Sequence, residues 1–365
     1  MKNLKFIREN LRGLKALRED LEADSLEGFL RMDYSISKFP PSPKVIEAIK
    51  SVAKDVNKYP DGASRKLREA LAKYNGVDPS MIIVGNGADE IIDMISRTFL
   101  EERDEIIIFT PTYAYYEYSA RVVNARVKMI PSMTNNTYSI NVKKAIENVS
   151  PKTKIIWICN PNNPTGTSIS QQTIKKILEN TDCIIAIDEC LFEFFGESSL
   201  NFLKEYDRLI IVRSMSKTFS LAGLRIGYAI ANTEIIEGMW KVKSLFNVNL
   251  IAQVAGVAAL EDINYYKKMW KKIADERKYL AERLSELKCV EVLPSTANFI
   301  LINVKKCKKS PEKIYEELIK RKIFILPSWS VDFSGLSKGF FRILVSTREE
   351  NDRLLKELSS VIRSL

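Results

Sequence analysis

Between residues 65 and 230 the chain alternates two hydrophobic rhythms. Apolar positions at helical spacing mark 65–74, 89–100, 113–124 and 171–180. Short apolar runs rich in Ile and Val mark strands at 81–84, 105–109, 126–130, 154–159, 183–188, 209–212 and 225–230. Runs that do not alternate with polar residues predict strands buried on both faces, and hence a mostly parallel sheet covered by helices. Residues 235–286 carry a strong helical pattern that includes Trp240 and Trp270. Beyond Lys288 the texture changes to short strands at 289–293, 298–304, 322–326 and 341–345, with two helices among them. The fold class expected is therefore α/β: a large domain over 47–265, with 1–46 and 266–365 forming a smaller α+β domain. Leu4, Ile7, Leu11, Leu14 and Leu21 recur at helical spacing, which predicts an amphipathic N-terminal helix docked on the body.

Composition narrows the class of protein. At 365 residues and 45% apolar content the chain can build a large core. No apolar run approaches the roughly 18–20 residues of a membrane span, so no membrane partner is expected. The basic N-terminus is broken by Glu9, Glu19, Asp20 and Glu22, which fits neither a secretory signal nor a transit peptide. Five cysteines (159, 183, 190, 289 and 307) form an odd set without a C-x-x-C pair, and a reduced cytoplasm is the expected home. The net charge of +10 is scattered except at 305–309, which argues against nucleic acid and for anionic small molecules. The absence of histidine has the largest consequence. It excludes Ser-His-Asp and Cys-His triads, histidine-bound zinc and any histidine base, and leaves proton transfer to lysine, carboxylate, tyrosine or a cofactor.

The candidate chemistry lies at strand ends. The run 154–159 leads into Asn160, and 183–187 into Asp188. The run 209–212 leads into Arg213-Ser214-Met215-Ser216-Lys217, with Arg225 eight residues later. Ligands of open parallel sheets bind beyond the carboxyl ends of the strands, so these groups can converge. An amide, a carboxylate, an amine and a guanidinium delivered there suit pyridoxal phosphate.

The motifs YPDGASRKLREALA (59–72), GNGADE (85–90), NPNNPTG (160–166), SMSKTFSLAGLRIGY (214–228) and FFRILVSTREEN (340–351) carry a family resemblance. The chain resembles the fold-type-I, pyridoxal-phosphate-dependent aminotransferases of class I/II from about Tyr59 to its C-terminus. The resemblance implies that Lys217 forms a Schiff base with the cofactor and then carries the proton from the donor Cα. It implies that Asp188 pairs with the pyridine nitrogen, Asn160 bonds the ring's phenolic oxygen, and Tyr113 stacks on the ring. Gly87, Ala88 and Asp89 at a helix start, with Ser214, Ser216 and Arg225, would hold the phosphate. Tyr59 would reach the phosphate of a neighbouring subunit, which implies a homodimer with composite sites. Arg342 would take the substrate carboxylate or phosphate, with Asn160 also at the substrate.

Within the class, the YPD opening, GNGADE, LAGLRIGY and 246–249 most resemble histidinol-phosphate aminotransferase. Residues 332–336 and Ile158-Cys159 resemble threonine-phosphate decarboxylase. Three departures fall in the substrate half and around the ring. Ser35-Ile36-Ser37-Lys38-Phe39-Pro40 replaces an asparagine-rich segment, Leu191 replaces a tyrosine, and an expected second arginine near Ser328 is missing, with Lys38 and Lys322 as candidate substitutes. The expected activity is amino transfer between an amino acid, or an amino-alcohol phosphate, and a 2-oxo acid. The alternatives are an O-phosphothreonine-type decarboxylase and a catalytically retired binding protein.

Overall fold

The structure, a computed structural model, describes residues 6–17, 27–330 and 333–363. Its strands begin with β1 (Leu30–Met32), β2 (Ile82–Asn86), β3 (Glu105–Thr110), β4 (Thr112–Tyr113), β5 (Arg126–Pro131), β6 (Met133–Thr134) and β7 (Thr137–Tyr138). They continue as β8 (Thr153–Cys159), β9 (Ile184–Asp188), β10 (Leu209–Ser214), β11 (Ile226–Ala231) and β12 (Glu291–Val292). The last four are β13 (Phe299–Asn303), β14 (Ile323–Pro327), β15 (Phe333–Ser334) and β16 (Phe340–Leu344).

Seven strands form the main sheet in the order β2-β11-β10-β9-β8-β3-β5. Within it, β11 alone runs antiparallel to its neighbours. Both faces are buried, as the unbroken apolar runs predict. Leu209 and Ile211 of β10 enter one core, whereas Ile210 and Val212 enter the other. A second sheet of order β1-β14-β16-β13-β12 gathers the short C-terminal strands and adds β1 in parallel to β14. The small β4–β15 ladder, Phe333 opposite Tyr113, ties the 333–334 segment to the edge of the main sheet's site.

The expected helical stretch 235–286 is three helices, Thr233–Trp240, Leu250–Glu261 and Ile263–Ser285. The break has a polar cause: Lys243 donates to the Gly62 and Ser244 carbonyls, and Asn247 to the Val84 carbonyl and Glu90. The N-terminal helix is shorter than expected, Glu9–Arg12, and buries none of its residues. What holds it is polar, with Arg8 and Asn10 donating to the carbonyls of Arg121 and Val122. Leu4 and Leu21 lie outside the described residues. Cys289 and Cys307, which spacing did not pair, form a disulfide with their Cα atoms 4.9 Å apart. The turn after β13 folds back beside the start of β12, so two cysteines 18 residues apart meet.

Candidate active site

The register of the main sheet brings the site together. Cys159 lies opposite Asp188, and Val212 also lies opposite Asp188, so the carboxyl ends of β8, β9 and β10 share one edge. Asn86, at the end of β2, pairs with Ile226, the first residue of β11, which delivers Gly87 and Arg225 to that same edge. A cavity of about 300 Å³ opens there. Its lining includes Lys217, Asp188, Tyr113, Asn163, Arg225 and Arg342, together with Ala88, Asp89, Ser214 and Ser216. Among the described lining residues the basic groups are thus Lys217, Arg225 and Arg342, and the acidic ones Asp89 and Asp188.

The Arg225 wall is built around two glycines. Gly87 caps the helix Ala88–Phe99 at φ +85°, and a Cβ there would stand 2.5 Å from the Arg225 guanidinium. A Cβ on Gly227 would strike the backbone of Gly87 and Ala88. Only the absence of both side chains lets the helix N-terminus, with its free N–H groups, meet Arg225. Arg225 donates to Asp89 at 3.0 Å, and the Tyr113 hydroxyl donates to the other oxygen of Asp89 at 2.9 Å. Ser214 and Ser216 are buried beside them, the Ser216 N–H donating to Ser214 Oγ.

At the opposite end, Asp188 accepts from the Tyr116 hydroxyl at 2.5 Å and from the Cys190 N–H at 2.9 Å. Burial, then the nearby Asp188 charge, pushes the Cys159 thiol up to about 12 and raises Cys190 as well. Both cysteines that line the cavity are therefore neutral thiols and poor nucleophiles. Lys217 is half-buried, and its amine forms no hydrogen bond or ion pair among the described residues. It lies inside the turn closed by Thr218 Oγ1 donating to the Ser214 carbonyl, and the Met215 N–H donates across to the Ile226 carbonyl. Arg342, on β16, is buried and donates to Asn163 Oδ1 at 2.7 Å and to the Asp33 carbonyl at 2.9 Å, between the rings of Phe299 and Phe333.

Phosphate donors, a positive charge, a carboxylate, an aromatic face and an unengaged amine around one cavity fit pyridoxal phosphate, with Ala88, Asp89, Ser214, Ser216 and Arg225 gathered at the end that suits its phosphate. The sequence model of the aminotransferases of class I and II matches residues 30–358. The chain belongs to that family. A histidinol-phosphate aminotransferase of Methanosphaera stadtmanae is 33% identical, covering 93% of this chain and 92% of its own length. The histidinol-phosphate aminotransferase structure from Clostridium acetobutylicum superposes with a TM-score of 0.84 at 29% identity, over 92% of this chain and 99% of that one. The L-threonine-O-3-phosphate decarboxylase structure from Porphyromonas gingivalis superposes with a TM-score of 0.80 at 24% identity, over 92% and 99%, a likeness of fold alone. The protein is a pyridoxal-phosphate-dependent aminotransferase. Among the described residues, no helix is long and apolar enough to cross a membrane.

One expected site residue, Asn160, stands elsewhere. Asn160 is fully buried, and its side-chain amide is spent on the backbone of Ile169, accepting at 2.8 Å and donating at 3.3 Å. Because successive strand residues point to opposite faces, the residue after Cys159 faces away from Asp188. Asn163, three residues later in the same turn, lines the cavity instead. Tyr59, expected at the phosphate of a neighbouring subunit, is 83% exposed, stacks on Phe246 at 4.6 Å and does not line the cavity of its own chain. Neither Lys38 nor Lys322 lines the cavity. Lys38 pairs with Glu350, and the Lys322 amine lies over Gly28. Tyr34 does line it, as do Ser35 and Ile36 of the segment read above as departing from the family pattern. Tyr116 was missed: Tyr113 ends β4 whereas Tyr116 lies in the helix that begins at Tyr115, and only the turn between them brings the two rings edge to face.

Proposed function

We propose that Lys217 is the covalent anchor of the cofactor and afterwards the base that moves the proton from the donor Cα. In a chain without histidine, its amine is the unengaged base facing the cavity. Bound pyridoxal phosphate supplies an aldehyde that takes up an amino group and a ring that accepts the electron pair released at Cα. Asp188 would hold the pyridine nitrogen protonated through a charge-assisted contact, and Tyr113 would supply an aromatic wall for the ring. The N–H groups of Ala88 and Asp89, with Ser214, Ser216 and Arg225, bind the phosphate. Asn163 takes the role first expected of Asn160, at the ring oxygen and beside the substrate.

The observation that carries the substrate reading is Arg342, a buried guanidinium steered into the cavity by Asn163 and the Asp33 carbonyl. It suits one anionic group, a carboxylate or a phosphate. Histidinol phosphate is the first candidate donor, since that substrate is in the relatives' names, with a 2-oxo acid as acceptor. Leu191, Ile36 and Tyr34 supply an apolar lining for the remainder of the donor. We also propose a homodimer. Tyr59, Leu245 and Val56 are 83%, 73% and 61% exposed in one chain, and a second copy would cover them while Tyr59 reaches its phosphate site.

A half-reaction screen tests this reading. The purified protein with pyridoxal phosphate is expected to be yellow, to be bleached by borohydride, and to lose both properties in Lys217→Ala. Mixed with histidinol phosphate, glutamate, and aromatic or aliphatic amino acids, it is expected to yield the amino form of the cofactor and a carbonyl product. Carbon dioxide and an amine from phosphothreonine would sink the transfer reading. A colourless protein indifferent to pyridoxal phosphate would sink the site.

A further inference from the structure

Tyr116 sits in the helix Tyr115–Val122 and is almost completely buried. Its ring stacks on Trp157 at 4.6 Å with the planes 10° apart, and meets Tyr113 edge-on at 5.6 Å. Its hydroxyl donates to Asp188 Oδ2 at 2.5 Å, while the Cys190 N–H donates to Oδ1. Burial, and after it the Asp188 charge, raises the phenol well above its ordinary range, so the proton stays on the tyrosine. One side chain therefore touches two of the groups that the site reading assigns to the cofactor ring, Asp188 and Tyr113.

We propose that Tyr116 is a positioning residue for the aminotransferase reaction: its hydroxyl fixes the orientation of the Asp188 carboxylate, and its ring edge fixes the plane of Tyr113. The proposal rests on the cofactor reading given above. A buried carboxylate needs donors to remain charged, and each donor also limits rotation of the carboxylate about its last bond. Without Tyr116, the protein donors left to Asp188 would be the Cys190 N–H and the weaker Cys190 thiol. Both oxygens are held while Asp188 lines the cavity, so the carboxylate is fixed at the cavity wall. The Trp157 stack makes the donor rigid, since the phenol cannot swing away without opening the core around it.

The test is Tyr116→Phe, which keeps the ring and removes one oxygen. Apoprotein melting is expected to stay within a few degrees of wild type. Cofactor affinity, read by absorbance on adding pyridoxal phosphate to apoprotein, is expected to fall about 10- to 100-fold, the range for one hydrogen bond to a charged group. The pH midpoint of the bound chromophore is expected to move, and kcat to fall while the donor KM holds, because Arg342 is untouched. In an Asp188→Asn background the same change is expected to cost nothing further. Unchanged affinity and midpoint, or an equal loss in both backgrounds, would overturn the proposal. If phenylalanine at 116 prevents folding, Tyr116→His retains a ring and a donor. Near-native cofactor affinity then supports the donor role, and a hundred-fold loss in a natively melting protein refutes it. A wild-type protein that forms no chromophore refutes the site reading itself, a distinguishable result.

Discussion

Glu193 offers a pH-linked measure of how the floor beneath the site is built. It lies in the short helix Phe192–Phe195, half-buried with one carboxylate oxygen shut off from solvent, on the side of the sheet where Arg213 pairs with Glu189 at 2.8 Å. Arg213 also donates to Ser198 and to Asn75, and lies 3.6 Å over the Phe192 ring. The Glu189 charge, opposed by burial, keeps this guanidinium above its ordinary range. Its charge is thus matched by Glu189, and Glu193 forms no ion pair among the described residues. Burial raises Glu193 from 4.5 to about 8, against a partial pull downward from Arg213. The folded chain therefore holds a proton that the unfolded chain releases near pH 4.5. This stabilisation is complete below the unfolded value and is lost as pH rises towards the folded one. At about 1.36 kcal/mol per unit the full loss has an upper bound of roughly 5 kcal/mol, less any relaxation of the pocket. Glu193→Gln keeps the shape and removes the titration. Urea unfolding of both proteins across mildly acidic to mildly alkaline pH is the assay. The wild type is expected to lose more stability than the glutamine variant as pH rises, by a few kcal/mol. Parallel profiles would show that Glu193 is already ionised, and would refute the one-cation reading of this network.

Other outcomes follow from single contacts. Gly87→Ala is expected to weaken cofactor binding at least ten-fold by absorbance titration, because the new Cβ stands 2.5 Å from the Arg225 guanidinium and removes a charge-assisted contact. Gly227→Ala is expected to lower stability itself by more than about 3 kcal/mol in denaturant melts, since its clash is with backbone rather than a movable side chain. Asn163→Ala is expected to raise the donor KM and slow turnover with little change in melting. Asn160→Ala, which loses only the Ile169 backbone contacts, is expected to lower melting first; the reverse pattern would restore Asn160 to the site.

The main sheet was legible because its strands are buried on both faces. Unbroken Ile and Val runs located β8, β9 and β10 to within a residue or two, and with them Asp188 and Lys217. Arg225 and the GNGADE turn were legible through glycine, where a missing side chain is itself the signal. Less was readable where two like residues compete inside one turn. Asn160 and Asn163 are chemically the same, and what separates them is the Ile169 backbone, nine residues from Asn160, which claims one of them. Tyr113, Tyr115 and Tyr116 differ likewise by partner, binding Asp89, Asp93 and Asp188 respectively. The disulfide and the short N-terminal helix depend on which segments fold back on which, and no local pattern encodes that.

The alternation of a strand does the sorting at the site itself. Cys159, Asp188, Val212 and Ser214 share one face of the sheet, while their chain neighbours Asn160, Glu189 and Arg213 point to the other. Asp188 and Glu189 are adjacent carboxylates, yet one faces the cavity and the other is locked to Arg213 beneath the sheet. Ser214 and Arg213 divide in the same way. The strand ends that carry Asp188 and the Lys217 turn are therefore clamped from below by an ion pair between Glu189, which follows Asp188, and Arg213, which precedes Ser214. A one-residue slip of β9 against β10 would place Glu189 in the cavity and bury Asp188 without its tyrosine donor. It would also leave the Arg213 charge unmatched, a cost of roughly 3–5 kcal/mol for a broken buried pair. The register that forms the cofactor site is thus the same register that satisfies the buried charges, so fold and site are selected by one constraint.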